Sequence, residues 1–306
     1  MKSIQDIKGL VVAPFTAFKA NGDLDLERVA AQAQYYKDNG IAGVFACGST
    51  GEGPALTVEE KKALMAEWAR CRDDRFAVIG FLGGTSVREC QDLALHAQRV
   101  GCDAVAMTAP YYHRPAGVHE LALTLAEVAS AVPELPFFYY HIPVLTRVEV
   151  PVFALLKEME ALVPNFVGIK YSNPDATQFQ LCLNYKGGKY KMMWGYDEMM
   201  LSVLALGADT FVGSTYGYNA PLYHEIMAAY AARDLDKAAA LQLKAVELVQ
   251  YLGKYGTGAG KAFMKAAGFD LGPCRRPWRT LTDAEYEAFL TDLQDSPFVA
   301  YKNVVR

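Results

Sequence analysis

Lys170 lies in the run Phe166-Val167-Gly168-Ile169-Lys170-Tyr171-Ser172, a short β-prone segment between Pro164-Asn165 and Asn173-Pro174. A lysine held inside such a strand loses hydration, its pKa falls, and the neutral amine becomes a nucleophile towards carbonyls. The competing reading is a lysine near a strand end whose ammonium reaches water along its apolar stem. Taken alone, the segment favours that second reading. A phenol enters the argument through Pro136-Phe137-Phe138-Tyr139-Tyr140. Strand alternation puts Phe138 and Tyr140 on one face, and Gly168, Lys170 and Ser172 on one face of the next strand. If both faces point into a common interior, a phenol and an amine meet there, while Tyr139 packs on the other side.

Other polar residues gather after strand-like segments. Gly48-Ser49-Thr50-Gly51-Glu52-Gly53 sets two hydroxyls among glycines, where backbone N–H groups can approach a small anion such as a carboxylate. Alone, that pattern is also an ordinary loop before a helix. Tyr111-Tyr112, Gly195-Tyr196-Asp197-Glu198 and Gly213-Ser214-Thr215-Tyr216 hold comparable positions, and a charged pair such as Asp197-Glu198 is equally a solvated rim. Two motifs are set aside. Gly256-Thr257-Gly258-Ala259-Gly260-Lys261 resembles a phosphate loop, but Tyr255 and Ala262 stand where that loop needs Gly and Ser/Thr, and the run follows a helix. Cys47 breaks the Gly-x-Ser-x-Gly order of a hydrolase elbow around Ser49.

The elements that must position these residues alternate along the chain. Strands are expected at 9–17, 43–48, 76–82, 104–109, 136–142, 166–172, 190–196 and 210–215, with helices including 26–39, 57–72, 86–100, 118–131 and 199–206. Gly40, Gly101 and Gly207 follow helical runs where a C-terminal cap glycine sits, and Thr57 with Glu60 forms a capping-box start. Eight strand–helix repeats predict a (β/α)₈ barrel over an open doubly wound sheet. No glycine-rich nucleotide turn follows the first strand. Residues 1–220 are expected to form the barrel and its site. Residues 221–306 would supply the last barrel helix and a helical extension that is not an independent domain.

Composition narrows the partners. The 306 residues carry a net charge of −4, which gives no reason to expect nucleic acid or an anionic membrane. No apolar stretch approaches the roughly 20 residues of a membrane helix, and the first residues lack an apolar signal region. The six cysteines have no metal-ligand spacing and read as free thiols of a cytoplasmic protein, and the five histidines form no HExxH cluster. A cofactor-free, metal-free mechanism on a small molecule is expected.

In this order, Gly48-Ser49-Thr50-Gly51-Glu52, Tyr140-His141-Ile142-Pro143 and Gly168-Ile169-Lys170 resemble the Schiff-base aldolase family of N-acetylneuraminate lyase and dihydrodipicolinate synthase, from about Lys8 to about Pro277. Gly195-Tyr196-Asp197-Glu198 and Gly213-Ser214-Thr215-Tyr216 are similar to the sialate lyase branch. The synthase branch has a carboxylate-gripping arginine where this chain has Leu145, which cannot make that contact. Where the family usually has a glycine, this chain has Arg147, at a position where a glycine would permit a backbone angle that arginine resists.

The resemblance implies cleavage of N-acetylneuraminate to N-acetylmannosamine and pyruvate, with Lys170 forming the imine and Tyr140 moving the proton. A free phenol titrates near ~10, so a tyrosine acting as base at neutrality needs help. The resemblance further implies that Ser49 and Thr50 hold the carboxylate, that Asp197, Glu198 and Ser214 hold the polyol, and that Gly195 and Gly213 allow backbone contacts. Ser172 would be a wall residue, and Tyr112 would reach a neighbouring subunit's site in a homotetramer. The same imine would serve another 2-keto-acid aldolase or a dehydratase, and a non-catalytic keto-acid-binding barrel is the alternative of another class.

Overall fold

The computed structural model describes residues 3–305. Its eight strands are β1 (Gly9–Val12), β2 (Gly43–Ala46), β3 (Ala77–Gly83), β4 (Ala104–Thr108), β5 (Phe137–His141), β6 (Phe166–Tyr171), β7 (Lys191–Trp194) and β8 (Thr210–Gly213). All neighbours pair in parallel, and β8 returns to β1, so the sheet closes into a barrel without edges. The helices outside it are α1 (Arg28–Asp38), α2 (Val58–Arg70), α3 (Val87–Val100), α4 (Val118–Ala129), a single turn α5 (Pro143–Thr146), α6 (Val152–Leu162), α7 (Ala176–Asn184) and α8 (Met200–Leu204). Then follow α9 (Tyr216–Ala231), α10 (Leu235–Tyr255), α11 (Ala259–Ala266), α12 (Asp283–Leu293) and a last turn α13 (Phe298–Tyr301).

The expected (β/α)₈ barrel is therefore the observed one, with shorter strands. The first ends at Val12 rather than residue 17, and the last at Gly213 rather than residue 215. Ladder pairing stops at Val12 and Gly213, and the residues beyond turn over the barrel mouth. The helix expected at 199–206 shrinks to Met200–Leu204.

Local signals act as expected. Thr57 and Glu60 complete both halves of the capping box, at 3.2 and 2.9 Å. Gly40, Gly101 and Gly207 all take positive φ after their helices, at 73°, 88° and 96°.

Alternation along the strands divides the apolar residues into two cores. Val11, Phe45, Ile79, Phe81, Ala106, Phe138, Tyr140, Met193 and Val212 fill the barrel interior, whereas Val44, Val78, Val105, Tyr139, Ile169 and Trp194 face the helices. Tyr139 is thus the packing tyrosine, and burial holds its phenol well above the ordinary range.

The C-terminal residues are tied back to the barrel. Pro221 lies inside α9 and has no N–H for the Gly217 carbonyl one turn earlier. The buried Asn303 side-chain amide donates to that carbonyl at 3.0 Å and to Tyr216 O at 3.1 Å, and its oxygen accepts from the Ala220 N–H at 2.7 Å. Among the described residues, no helix is long and apolar enough to cross a membrane, and no group of three or more His, Cys, Asp or Glu could hold a metal ion.

Candidate active site

The β5–β6 register decides the first question. Tyr140 pairs with Lys170 and Phe138 with Gly168, so the amine and phenol project together into the barrel. The Lys170 ammonium lies 3.9 Å from the Tyr140 ring centroid and 4.0 Å from that of Phe45. Phe45 and Phe81 meet Tyr140 edge-on, at 5.3 and 5.7 Å between centroids. Lys170 is 3% exposed, which excludes the snorkelling reading. Burial lowers its pKa, while Tyr140 and Asp197 only partly counter the shift. The amine is therefore more readily neutral than an ordinary lysine.

A cavity of about 310 Å³ opens at the carboxyl ends of the strands. Its lining includes Lys170, Tyr140, Ser49, Thr50, Ser172, Gly195, Asp197, Glu198, Gly213 and Ser214, which come from the ends of five strands. Tyr112 is not among them. Its side chain is 80% exposed beyond β4, where it touches His113, and the exposed Leu145 lies on α5 rather than in this cavity.

Asp197 is the most constrained acid of the site. Its Oδ2 accepts from the Thr215 N–H at 3.1 Å and from the Thr215 hydroxyl at 2.6 Å. The Thr215 oxygen lies 2.8 Å from the Tyr223 hydroxyl. With Asp197 ionised, Thr215 has spent its one proton on the carboxylate, so Tyr223 donates to Thr215. Burial raises the Asp197 pKa, and the Thr215 bonds pull it down. Burial, helped by the neighbouring Asp197, also raises that of the half-buried Glu198.

The two glycines leave space that a side chain would take. A β-carbon at Gly213 would come within 1.8 Å of Asp197 Oδ1, and one at Gly195 within 2.2 Å of Ser172 Oγ. They leave room for the polar side chains of the neighbouring strand ends.

Sequence reasoning missed several lining residues. Thr215 carried a visible signal, a second hydroxyl beside Ser214. Val249 and Leu252 also line the cavity but come from α10, far along the chain, where nothing local separates them from packing residues. Arg147 takes the left-handed conformation, φ 56° and ψ 27°, at the end of α5, and its N–H donates to the Pro143 carbonyl. The position demands the angle that a glycine supplies without strain, and here arginine adopts it.

The site thus sets a desolvated lysine beside a tyrosine, among hydroxyls and carboxylates at the mouth of a closed (β/α)₈ barrel. The model of the dihydrodipicolinate synthetase family matches residues 6–296. The chain belongs to that family. It is 36% identical over 277 residues to N-acetylneuraminate lyase A of Xenopus laevis, covering 89% of this chain and 90% of that one. It is 33% identical over 306 residues to N-acetylneuraminate lyase of Rattus norvegicus, covering 97% and 96%. The structure of Proteus mirabilis N-acetylneuraminate lyase is similar with a TM-score of 0.92 at 32% identity, covering 95% of this chain and 99% of that chain.

Proposed function

We propose that this chain is a class I aldolase that cleaves N-acetylneuraminate to N-acetylmannosamine and pyruvate. The observation that carries the reading is the Tyr140–Lys170 register, which brings a phenol and a desolvated amine together in a cavity shared with Ser49, Thr50, Asp197, Glu198 and Ser214.

The steps follow from that arrangement. Lys170 attacks the C2 ketone of the open-chain sugar acid, water leaves, and the protonated imine becomes an electron sink. Tyr140 takes the proton of the C4 hydroxyl as the C3–C4 bond breaks. The bond's electrons flow into the imine, which yields the enamine of pyruvate and frees N-acetylmannosamine as the aldehyde. Protonation at C3 and hydrolysis then release pyruvate and regenerate the amine. The Ser49 and Thr50 hydroxyls and amides hold the carboxylate, close enough to Tyr140 for it to assist the proton transfer.

Asp197, Glu198 and Ser214 accept and donate hydrogen bonds to the polyol, with Gly195 and Gly213 exposing backbone and Ser172 forming wall. Asp197 Oδ1 is buried without a hydrogen-bond partner, which supports a role as acceptor for a substrate hydroxyl. The chemistry uses no metal or cofactor.

The same reading takes the protein as a cytoplasmic homotetramer of carbohydrate metabolism in which Tyr112 enters the neighbouring subunit's site. The exposure of Tyr112, Val144 and Leu145, at 80%, 61% and 59%, supports an apolar contact at that end of the barrel. Residues 1–220 carry the barrel strands and the polar residues of the site. Residues 221–306 supply the last barrel helix and a helical extension rather than an independent domain, in keeping with the reach of α10 into the cavity.

Borohydride reduction with pyruvate should trap a three-carbon adduct on Lys170; an adduct on another lysine, or none, defeats the imine. Pyruvate release from a substrate panel should favour N-acetylneuraminate over 2-keto-3-deoxy sugar acids. The reverse preference keeps the aldolase and removes the sialate assignment.

A further inference from the structure

The glycine-rich run that resembles a phosphate loop has another use in the fold. A β-carbon on Gly258 would come within 2.3 Å of the Arg279 carbonyl oxygen, and one on Gly260 within 2.3 Å of the Phe15 ring. These glycines let α11 press against the loop after β1 and the segment following α11. Lys261 then points inward. Its ammonium lies 2.9 Å from Glu52 Oε1 and donates to the Pro273 carbonyl at 2.5 Å, with the Phe18 ring centroid 4.4 Å away. The two side chains are only 6% and 2% exposed.

Glu52 has a second anchor, because its Oε2 accepts from the Arg275 N–H at 2.6 Å. The Arg275 guanidinium also lies over the Phe18 ring, at 4.5 Å. It donates to both oxygens of Glu60 at 2.7 and 2.8 Å, and to the carbonyls of Ala55 and Gly22 at 3.0 and 2.7 Å. Glu60 is the acid of the α2 capping box, so the same network reaches the start of the helix that follows the loop. Glu52 stands two residues after Thr50, in the left-handed conformation with φ 57°. The residue between them, Gly51, is held from the other side by the Thr16 hydroxyl, which donates to its carbonyl at 2.6 Å.

We propose that Lys261, Glu52 and Arg275 are positioning residues that fix the Gly48–Gly53 loop, and with it the Ser49 and Thr50 hydroxyls at the carboxylate end of the site. The proposal rests on the reading of that end given above. A buried ion pair adds little net stability over an apolar replacement, whereas loss of one partner strands the other charge. What the pair supplies is one loop geometry, because one Glu52 oxygen accepts the Arg275 N–H and the other is ion-paired with Lys261, which ties the loop to α11 and to the segment after it. None of the three side chains lines the Lys170 cavity; they act through Ser49 and Thr50.

The test uses Lys261→Met and the paired variant Glu52→Gln/Lys261→Met in the full-length protein. The pair removes both buried charges and serves if the single variant does not fold. Three readouts are compared with wild type: the pyruvate concentration that half-saturates borohydride trapping on Lys170, the KM for N-acetylmannosamine in the condensation direction, and amide hydrogen exchange without ligand. The half-saturating pyruvate should rise about tenfold, the cost of one misplaced charge-assisted contact. The N-acetylmannosamine KM should stay near wild type, and residues 48–53 should exchange faster while the strands do not. Unchanged exchange at 48–53 in a folded variant, or pyruvate and sugar constants moving in equal proportion, overturns the proposal. A wild type that forms no pyruvate adduct defeats the aldolase reading alone, and the exchange comparison still decides the role of the network.

Discussion

On the proposed mechanism, Tyr140→Phe should separate imine formation from bond cleavage, because the two tasks fall to paired residues of adjacent strands. The substitution removes one oxygen and keeps the ring. That ring packs edge-on to Phe45 and Phe81 at 5.3 and 5.7 Å and lies 3.9 Å from the Lys170 ammonium. Packing and the desolvation that activates the amine are therefore retained, and stability should change by less than about 1 kcal/mol. What disappears is the group proposed to take the C4 hydroxyl proton. Positioned general bases contribute about 10²–10⁴ in rate, or about 2.7–5.5 kcal/mol of barrier. The kcat for N-acetylneuraminate cleavage should fall by that factor, while borohydride trapping of pyruvate on Lys170 continues at a comparable rate. Both are read from one preparation, by coupled detection of pyruvate and by mass spectrometry of the reduced protein. Unchanged cleavage would refute the role of Tyr140. Trapping that falls in step with cleavage would refute the division of labour, since the phenol would then be needed to form the imine.

Three other predictions follow from the geometry. Gly213→Ala places a β-carbon within 1.8 Å of Asp197 Oδ1, and Asp197 cannot yield without losing its 2.6 and 3.1 Å bonds from Thr215. The loss of about 1–3 kcal/mol should appear as a sugar KM raised roughly ten- to hundredfold with pyruvate trapping preserved. Lys170→Met should abolish trapping and raise stability, because the folded state disfavours the charged amine. Between the lowered folded pKa and the ordinary value the unfolded chain binds the extra proton, so wild-type stability rises with pH there. The Met variant lacks that slope, and its advantage in urea melts should be largest at low pH and shrink towards pH ~10. Arg147→Gly relieves a left-handed arginine at φ 56°. It should raise the urea midpoint by the equivalent of about 0.5–1 kcal/mol, the strain relieved less the added chain entropy of glycine.

The Tyr140–Lys170 pairing was legible because β-strands have a period of two. Once 136–142 and 166–172 are neighbouring strands facing one interior, Tyr140 and Lys170 must share it and Tyr139 must not. The hydroxyls and acids after the other strands were legible for a related reason: short loops between regular elements keep strand ends at one rim. The exact strand ends were not, since Phe15 to Ala17 and Ser214 to Thr215 read as strand continuations until the paths of their loops are known.

The long-range partners were hidden in a different way. Val249 and Leu252 look like packing residues of α10, and Lys261 looks like the end of a phosphate loop. Nothing within a window of sequence shows that Lys261 meets Glu52, or that Thr215 and Tyr223 stand behind Asp197.

The sequence by itself determined which groups could do chemistry and that they belong to one alternating set of strands, because side-chain direction along a strand is a local property. Only the tertiary structure decided how far Lys170 is withdrawn from water, which carboxylate oxygen Asp197 leaves free, and which distant cation holds the loop of Ser49 and Thr50. Those are matters of burial and distance between segments far apart in the chain, and they exist only once the barrel has closed.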